Sequence, residues 1–305
     1  MPKVLGMMLT VADIQKMTTF FTKVLGFEKV GESQLEGDAY DKLYGIPKVK
    51  ARFVTLKLGK ESLYLIEFDP PGKSYPPIRG NDHLFQHIAI VVSDLEKAHQ
   101  ILNKEGITAI SEEPVTIPEW NEAAAGIKAF YFQSPEGHPL ELIYFPPKKG
   151  RLIWQEKENL FLGIDHTAIT IFHTEKSLNF YQDVIGMKVF GASLNHGSTQ
   201  ESLSGVPGAK VKITGLGCKE GEMGVEFLHY LHPQDGRSYP DVKASDLGCT
   251  YTVIAIDSLD ELNVLPLSKG SFSLDHGITI NSAITAKDPD GHRLLFLEKR
   301  GNQFI

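Results

Sequence analysis

"FLGIDHTAITIF" (residues 161–172) is an apolar run of strand length with a histidine, His166, near its start. "LFQHIAIVVSDL" (84–95) repeats the arrangement with His87. Each run continues into a helical pattern, in "HIAIVVSDLEKAHQIL" (87–102) and "HTAITIFHTEKSLNFYQDVIGM" (166–187). "MMLTVADIQKMTTFFTKVLGF" (7–27) follows the same order less cleanly. The strand stretches are short and either alternating or fully apolar. The helical ones open on Asp or Thr and space apolar residues at i, i+3 and i+4. Further strand signals, broken by Gly and Pro, come after the helices: "ARFVTLKLG", "SLYLIEF", "IKAFYFQ", "PLELIYF", "KVKITGL" and "GVEFLHYL". The unit is strand, helix, then about three strands, written four times. In the fourth copy "LDELNVLPLSKG" sets Pro266 inside the expected helix, which predicts a short or kinked one.

The units are themselves duplicated in pairs. "TTFFTKVLGFEKVG" (18–31) matches "LNFYQDVIGMKVFG" (178–191), and "KLYGIPKVK" (42–50) matches "SLSGVPGAK" (202–210), with Gly45 over Gly205 and Pro47 over Pro207. "GKSYP" (72–76) matches "GRSYP" (236–240), and "SPEGHPLELIYF" (134–145) matches "DPDGHRLLFLEK" (288–299). Order is preserved with a drift of a few residues, the signature of a tandem repeat. The expected first domain covers 1–145, with modules 1–68 and 82–146. A Pro-, Gly- and charge-rich linker follows at 146–159, then a second domain at 160–305 with modules 160–232 and 246–300.

At 305 residues the chain can bury two ordinary cores. Its 42% hydrophobic and 23% charged residues are those of a globular protein, and the net charge of -7 argues against nucleic acid as a partner. No stretch reaches the ~20 apolar residues of a transmembrane helix, so no membrane partner is expected. "KVLGMMLTVA" has the look of a short signal-peptide core, but internal runs share its pattern, so it reads as a strand. Cys218 and Cys249 build no disulfide framework and suit a cytoplasmic protein.

A four-fold unit of this order resembles the vicinal oxygen chelate superfamily, which includes glyoxalase I, extradiol dioxygenases and bleomycin-resistance proteins. The Asp-Pro-x-Gly-His turn before each half's last strand (Ser134 replaces Asp in the first) and the "FY..VIGM" helix ending carry the resemblance. It implies an α+β fold of four βαβββ modules in two tandem halves, paired into cupped mixed sheets. It also implies metal ligands on the first and last strands of each module. Those positions fall on His87 and Glu141 in module two, and on His166 and Glu226 in module three. In module one they fall on Gly6 and Tyr64, with Glu67 as a nearby alternative, and in module four on Tyr251 and Leu295. Only the pairing of modules two and three, within one chain or across a homodimer, assembles a complete set. Modules one and four would then pair without a metal, and Tyr64 and Tyr251 there suit an apolar ligand.

Two imidazoles and two carboxylates suit one divalent ion: Zn, Ni, Co, Mn or Fe(II). Glutamates inside apolar strands add weight, because burying an unpaired carboxylate is costly. Trp120 and Asn121, in a loop, and Tyr131, ten residues before Glu141, are candidate substrate contacts, as is His83 at the cup rim. His138 and His292, in the repeated turns, read as structural.

The resemblance implies a metal-dependent lyase or isomerase of the glyoxalase I type, acting on a small oxygen-chelating substrate via an enediolate. Glu141 or Glu226 would serve as the catalytic base. One alternative is an Fe(II) or Mn(II) extradiol-type dioxygenase. "FYFQSPEGHPLE" resembles half of that signature, but the upstream histidine is missing from "NEAAAGIK". The other is a non-catalytic small-molecule binding protein.

Overall fold

The computed structural model describes residues 2–218, 223–274 and 278–298. Module one comprises β1 (Lys3–Val11), α1 (Ile14–Lys23), β2 (Glu28–Glu36), α2 (Asp38–Tyr44), β3 (Lys50–Leu58) and β4 (Glu61–Phe68). Module two has β5 (Gln86–Val92), α3 (Leu95–Lys104), the short β6 (Val115–Thr116), β7 (Lys128–Gln133) and β8 (Pro139–Tyr144). Module three runs through β9 (Phe161–Ile171), α4 (Thr174–Leu178) with a π-helical continuation over Asn179–Val184, and β10 (Lys188–His196). It then continues with α5 (Ser198–Ser204), β11 (Lys210–Gly217) and β12 (Gly224–His232). Module four holds β13 (Thr250–Ile256), β14 (Pro266–Leu274), β15 (Ile278–Lys287) and β16 (Arg293–Glu298).

The helices follow from local rules. The Asp13 side chain accepts from Lys16 N at the start of α1, and Asp94 accepts from Lys97 N at the start of α3, each satisfying an otherwise orphaned amide. α1 buries Ile14, Met17, Phe20 and Phe21 on one face, and α3 buries Leu95, Ala98 and Leu102. Module four departs from the expectation: no helix forms around Pro266, which opens β14 instead. A proline at a strand's first residue loses no ladder bond, whereas inside a helix it would.

Two eight-stranded sheets result, in the orders β14-β15-β16-β13-β1-β4-β3-β2 and β10-β11-β12-β9-β5-β8-β7-β6, each curled toward a half-barrel. The antiparallel joins β1–β13 and β5–β9 pair module one with four and module two with three, all within one chain. Each tandem half therefore gives one module to each sheet. One large apolar cluster covers the helix-facing sides of both sheets, including Met7, Leu9, Ile88, Ile90, Phe21 and Leu95.

The repeated turns tie modules together within a half. His138 Nε2 lies 2.9 Å from the Thr10 carbonyl, and His292 Nε2 lies 2.8 Å from that of Thr170. Glu136 accepts from the Ala12 and Asp13 amides, while Asp290 accepts from Phe172 N and Ser177 Oγ. Both turn histidines are buried and held by the neighbouring module's first strand. No helix among the described residues is long and apolar enough to cross a membrane.

Candidate metal centre

The strand registers bring the candidate ligands of modules two and three to one face. Ala89 of β5 lies opposite both Glu141 of β8 and His166 of β9, and Ala168 of β9 lies opposite both His87 of β5 and Glu226 of β12. Because side chains alternate along a strand, these registers place all four candidates on the same side of the sheet.

Three of them close tightly. His87 Nε2 is 3.0 Å from Glu141 Oε2, and His166 Nε2 is 3.5 Å from the same oxygen. One ligand atom from each of His87, Glu141 and His166 falls within 4.8 Å of the others. Glu226 stands on the open side, with Oε2 3.5 Å from His166 Nε2 and its side chain 26% exposed; the His87 side chain is wholly buried.

The residues fit a cation better than they fit one another. His87 Nδ1, His87 Nε2 and His166 Nε2 are buried, and none makes an aligned hydrogen bond. Buried nitrogens of this kind are costly unless a partner satisfies them. Around His166 stand three carboxylates, Glu141, Glu226 and Asp165. Burial lowers the His87 pKa, which favours the neutral imidazole that ligates metals. Burial acts to raise Glu141, but His166 and His87 outweigh it and hold its carboxyl at about 2. Burial drives Glu226 up to about 7, with His166 opposing. Burial disfavours a charged His166, yet the Glu226, Asp165 and Glu141 carboxylates raise it well above the usual imidazole range. A divalent ion would replace that proton as the compensating charge.

Tyr131, which pairs with Glu141 in the β7–β8 ladder, is buried with its ring centroid 4.6 Å from that of His87. Asn121 is buried and donates to Asn195 Oδ1 at 2.7 Å. Trp120 is 53% exposed and stacks on His196, so this loop meets the end of β10. His83 lies elsewhere: it packs on Phe172 and lines a separate cleft of about 290 Å³ with Ser238, Lys287 and Arg293. Phe85, Ala168, Leu228 and Tyr230 pack with Tyr131 in one buried hydrophobic cluster, and the Phe85 ring centroid is 5.7 Å from that of His87.

Asp165 was not legible as a site residue, since a regular strand sends it to the opposite face from His166. The adjacent Asp-His pair is the only sequence signal. In the structure its Oδ2 lies 3.0 Å from His166 Nδ1.

In the other sheet the corresponding positions are closed. Gly6 and Val253 pair, as do Met8 and Tyr251, and Tyr64 lies opposite Met8. A Cβ on Gly6 would sit 2.1 Å from the Ser62 carbonyl oxygen, so no ligand side chain fits there. Met8, Tyr64, Tyr251, Phe53 and Leu295 pack into a buried cluster in its place. Glu67 points away to the α1 start, accepting from Ile14 N.

A family model, Glyoxalase/Bleomycin resistance protein/Dioxygenase superfamily, matches residues 3–142 and 163–296. The chain belongs to that superfamily. It is 32% identical over 142 residues, 45% of this chain and 76% of the relative, to a 2-epi-5-epi-valiolone epimerase from Actinomyces sp. A lactoylglutathione lyase of Neisseria meningitidis is 26% identical over 143 residues, 44% of this chain and 89% of that one. The crystal structure of glyoxalase I from Zea mays superposes with a TM-score of 0.63 at 17% identity, covering 98% of this chain and 92% of that one, a likeness of fold.

Proposed function

We propose that this chain is a metal-dependent lyase or isomerase that binds one divalent ion and moves a proton between neighbouring carbons of a small, oxygen-chelating substrate. The observation that carries this reading is the split of the four candidates into a buried trio and a fourth carboxylate. His87, Glu141 and His166 are sufficient to hold an ion, and Glu226 stands at 3.5 Å from His166 with solvent on one side. The ion, when bound, supplies Lewis-acid polarisation of two substrate oxygens. Glu226 then takes the proton from the adjacent carbon and returns it to its neighbour. Tyr131, Leu228 and Tyr230 exclude water from the apolar side of the cup, which strengthens the charge interactions inside it. Relatives whose names include a lyase and an epimerase support proton-transfer chemistry.

A second reading has one feature in its favour. Two histidines and one carboxylate also form the facial triad of non-haem iron oxygenases, here with Tyr131 alongside.

Elemental analysis of the purified chain and of His166→Ala tests both readings, followed by hydrogen–deuterium exchange beside the carbonyl of α-hydroxyketones. We expect about one ion per chain, lost in the variant, with exchange that needs Glu226. Iron together with oxygen uptake on catechols would select the dioxygenase. A chain that neither holds nor takes up an ion is a binding protein instead.

A further inference from the structure

We propose that Asp165 is a positioning residue of this centre and that the linker between the tandem halves is built into it. Trp154 and Arg151 hold the carboxylate that presents His166 Nε2 to the ion. This rests on the metal-site reading above.

The position of Asp165 is made by a bulge. The β5–β9 register passes from Ala89↔His166 to Ile90↔Ile164, so Asp165 is an extra residue on β9. Bulges re-aim side chains, and this one brings Asp165 Oδ2 to 3.0 Å from His166 Nδ1. The other oxygen, Oδ1, accepts from Trp154 Nε1 at 2.6 Å, with Arg151 Nε 3.7 Å away. Trp154 is only 3% exposed, and the Arg151 guanidinium stacks 4.0 Å from its ring centroid. Arg151 Nη2 in turn donates to Glu61 Oε1 at 3.0 Å and to the Ile164 carbonyl at 3.3 Å. A continuous polar path thus runs from module one, through the linker, to Nδ1 of His166, across the ring from the Nε2 that faces Glu141 and Glu226.

The chemistry follows from the donor count. An ionised carboxylate only accepts, so the ring proton of a neutral His166 must sit on Nδ1 and leave the Nε2 lone pair for an ion. A carboxylate behind a ligating histidine orients the ring and raises its basicity. The molecule carries its own control. β1 has the same bulge, between Val4 and Gly6, and there the extra residue is Leu5. The duplicated position is acidic only where a histidine follows it.

The test is a titration of the metal-free full-length chain with cobalt(II), reading the dissociation constant and the d–d absorption spectrum. The melting temperature of each metal-free variant is measured alongside. In Asp165→Asn the amide can still accept from Trp154, but its NH2 faces Nδ1 and moves the ring proton to Nε2. We expect cobalt affinity to fall about 10–100-fold, with an altered spectrum and a near-unchanged melting temperature. Trp154→Phe, which keeps a buried ring but loses the N–H, should shift both cobalt readouts in the same direction by less. Wild-type affinity and spectrum in both variants would overturn the proposal. So would a loss of affinity that merely tracks a lower melting temperature, because Asp165 would then be a folding residue. Failure of the metal-site reading shows separately, as a wild-type chain whose cobalt titration matches that of His166→Ala.

Discussion

Arg237 grips Asp82 across the two halves, donating from its backbone N at 2.8 Å, Nε at 3.0 Å and Nη2 at 2.5 Å. The duplicated counterpart is Asp246, which accepts from the Lys73 amide at 2.8 Å and the Lys243 amide at 2.9 Å. Asp82 likewise accepts from the Arg79 amide at 2.8 Å. The two connections between modules, after β4 and after β12, therefore cross and hold each other reciprocally. A Cβ on Gly236 would lie 2.0 Å from the Asn81 carbonyl oxygen, which is why the crossing tolerates only glycine there. This crossing is what lets each half send one module to each sheet.

Asp82→Asn should destabilise the fold. Asp82 is fully buried and its partners are all donors, so an amide would set N–H against N–H. The expected loss is about 3 kcal/mol, read as a lower midpoint in urea unfolding. A midpoint within error of wild type would show that the crossing is held by packing alone.

Acid should weaken the fold in two steps. Burial holds the His138 pKa down to about 4, whereas an unfolded imidazole binds its proton below about 6.5. The unfolded state therefore binds more protons as pH falls through that window, and stability declines across it by up to about 3 kcal/mol. At Asp82 burial acts upward, but Arg237 and Arg79 overcome it and set the carboxyl at about 2. Its contribution is complete above about pH 4 and is lost as pH falls toward 2. His138→Gln should flatten the upper step and leave the lower one, measured by urea unfolding between pH 7 and pH 3.

Ion binding and turnover should separate between residues. His87→Ala and His166→Ala are each expected to abolish ion retention, because each removes a member of the buried trio. Glu226→Gln should retain the ion and lower the rate of α-proton exchange by about 10²–10⁴-fold. Equal loss of ion in Glu226→Gln would make Glu226 a required ligand.

Gly6→His should not create a second metal site. The Ser62 carbonyl blocks any Cβ at this position, so roughly 3 kcal/mol or more of stability is lost. Circular dichroism melts and ion content together check this; a stable variant holding two ions would refute the closed-cup description.

Trp120→Ala should leave stability within about 0.5 kcal/mol, because the indole is half exposed on His196. If the loop contacts substrate, KM rises while ion content stays unchanged. An unaltered KM would leave Trp120 a surface residue.

Much of this was legible along the chain. The repeats set module order. The uneven placement of His87, Glu141, His166 and Glu226 required modules two and three to share a sheet, and β5 pairs with β9 as that demands. Of Tyr64 and its alternative Glu67, register favours Tyr64, since Tyr64 faces Met8 as Glu226 faces Ala168. His83 was misplaced because four residues along a connection say nothing about which cleft it enters.

The sequence by itself determined the modules, their duplication and the chemical identity of the candidate ligands, because periodicity and residue type are local properties. Only the tertiary structure decided that Asp165 turns to the same side as His166, that Trp154 and Arg151 of the linker hold it there, and that Met8, Tyr64 and Tyr251 fill the other cup. A bulge changes the facing of a side chain without leaving a mark in composition. Whether a cup is open or filled depends on which distant side chains meet over it, and that is set by packing between segments far apart in the chain.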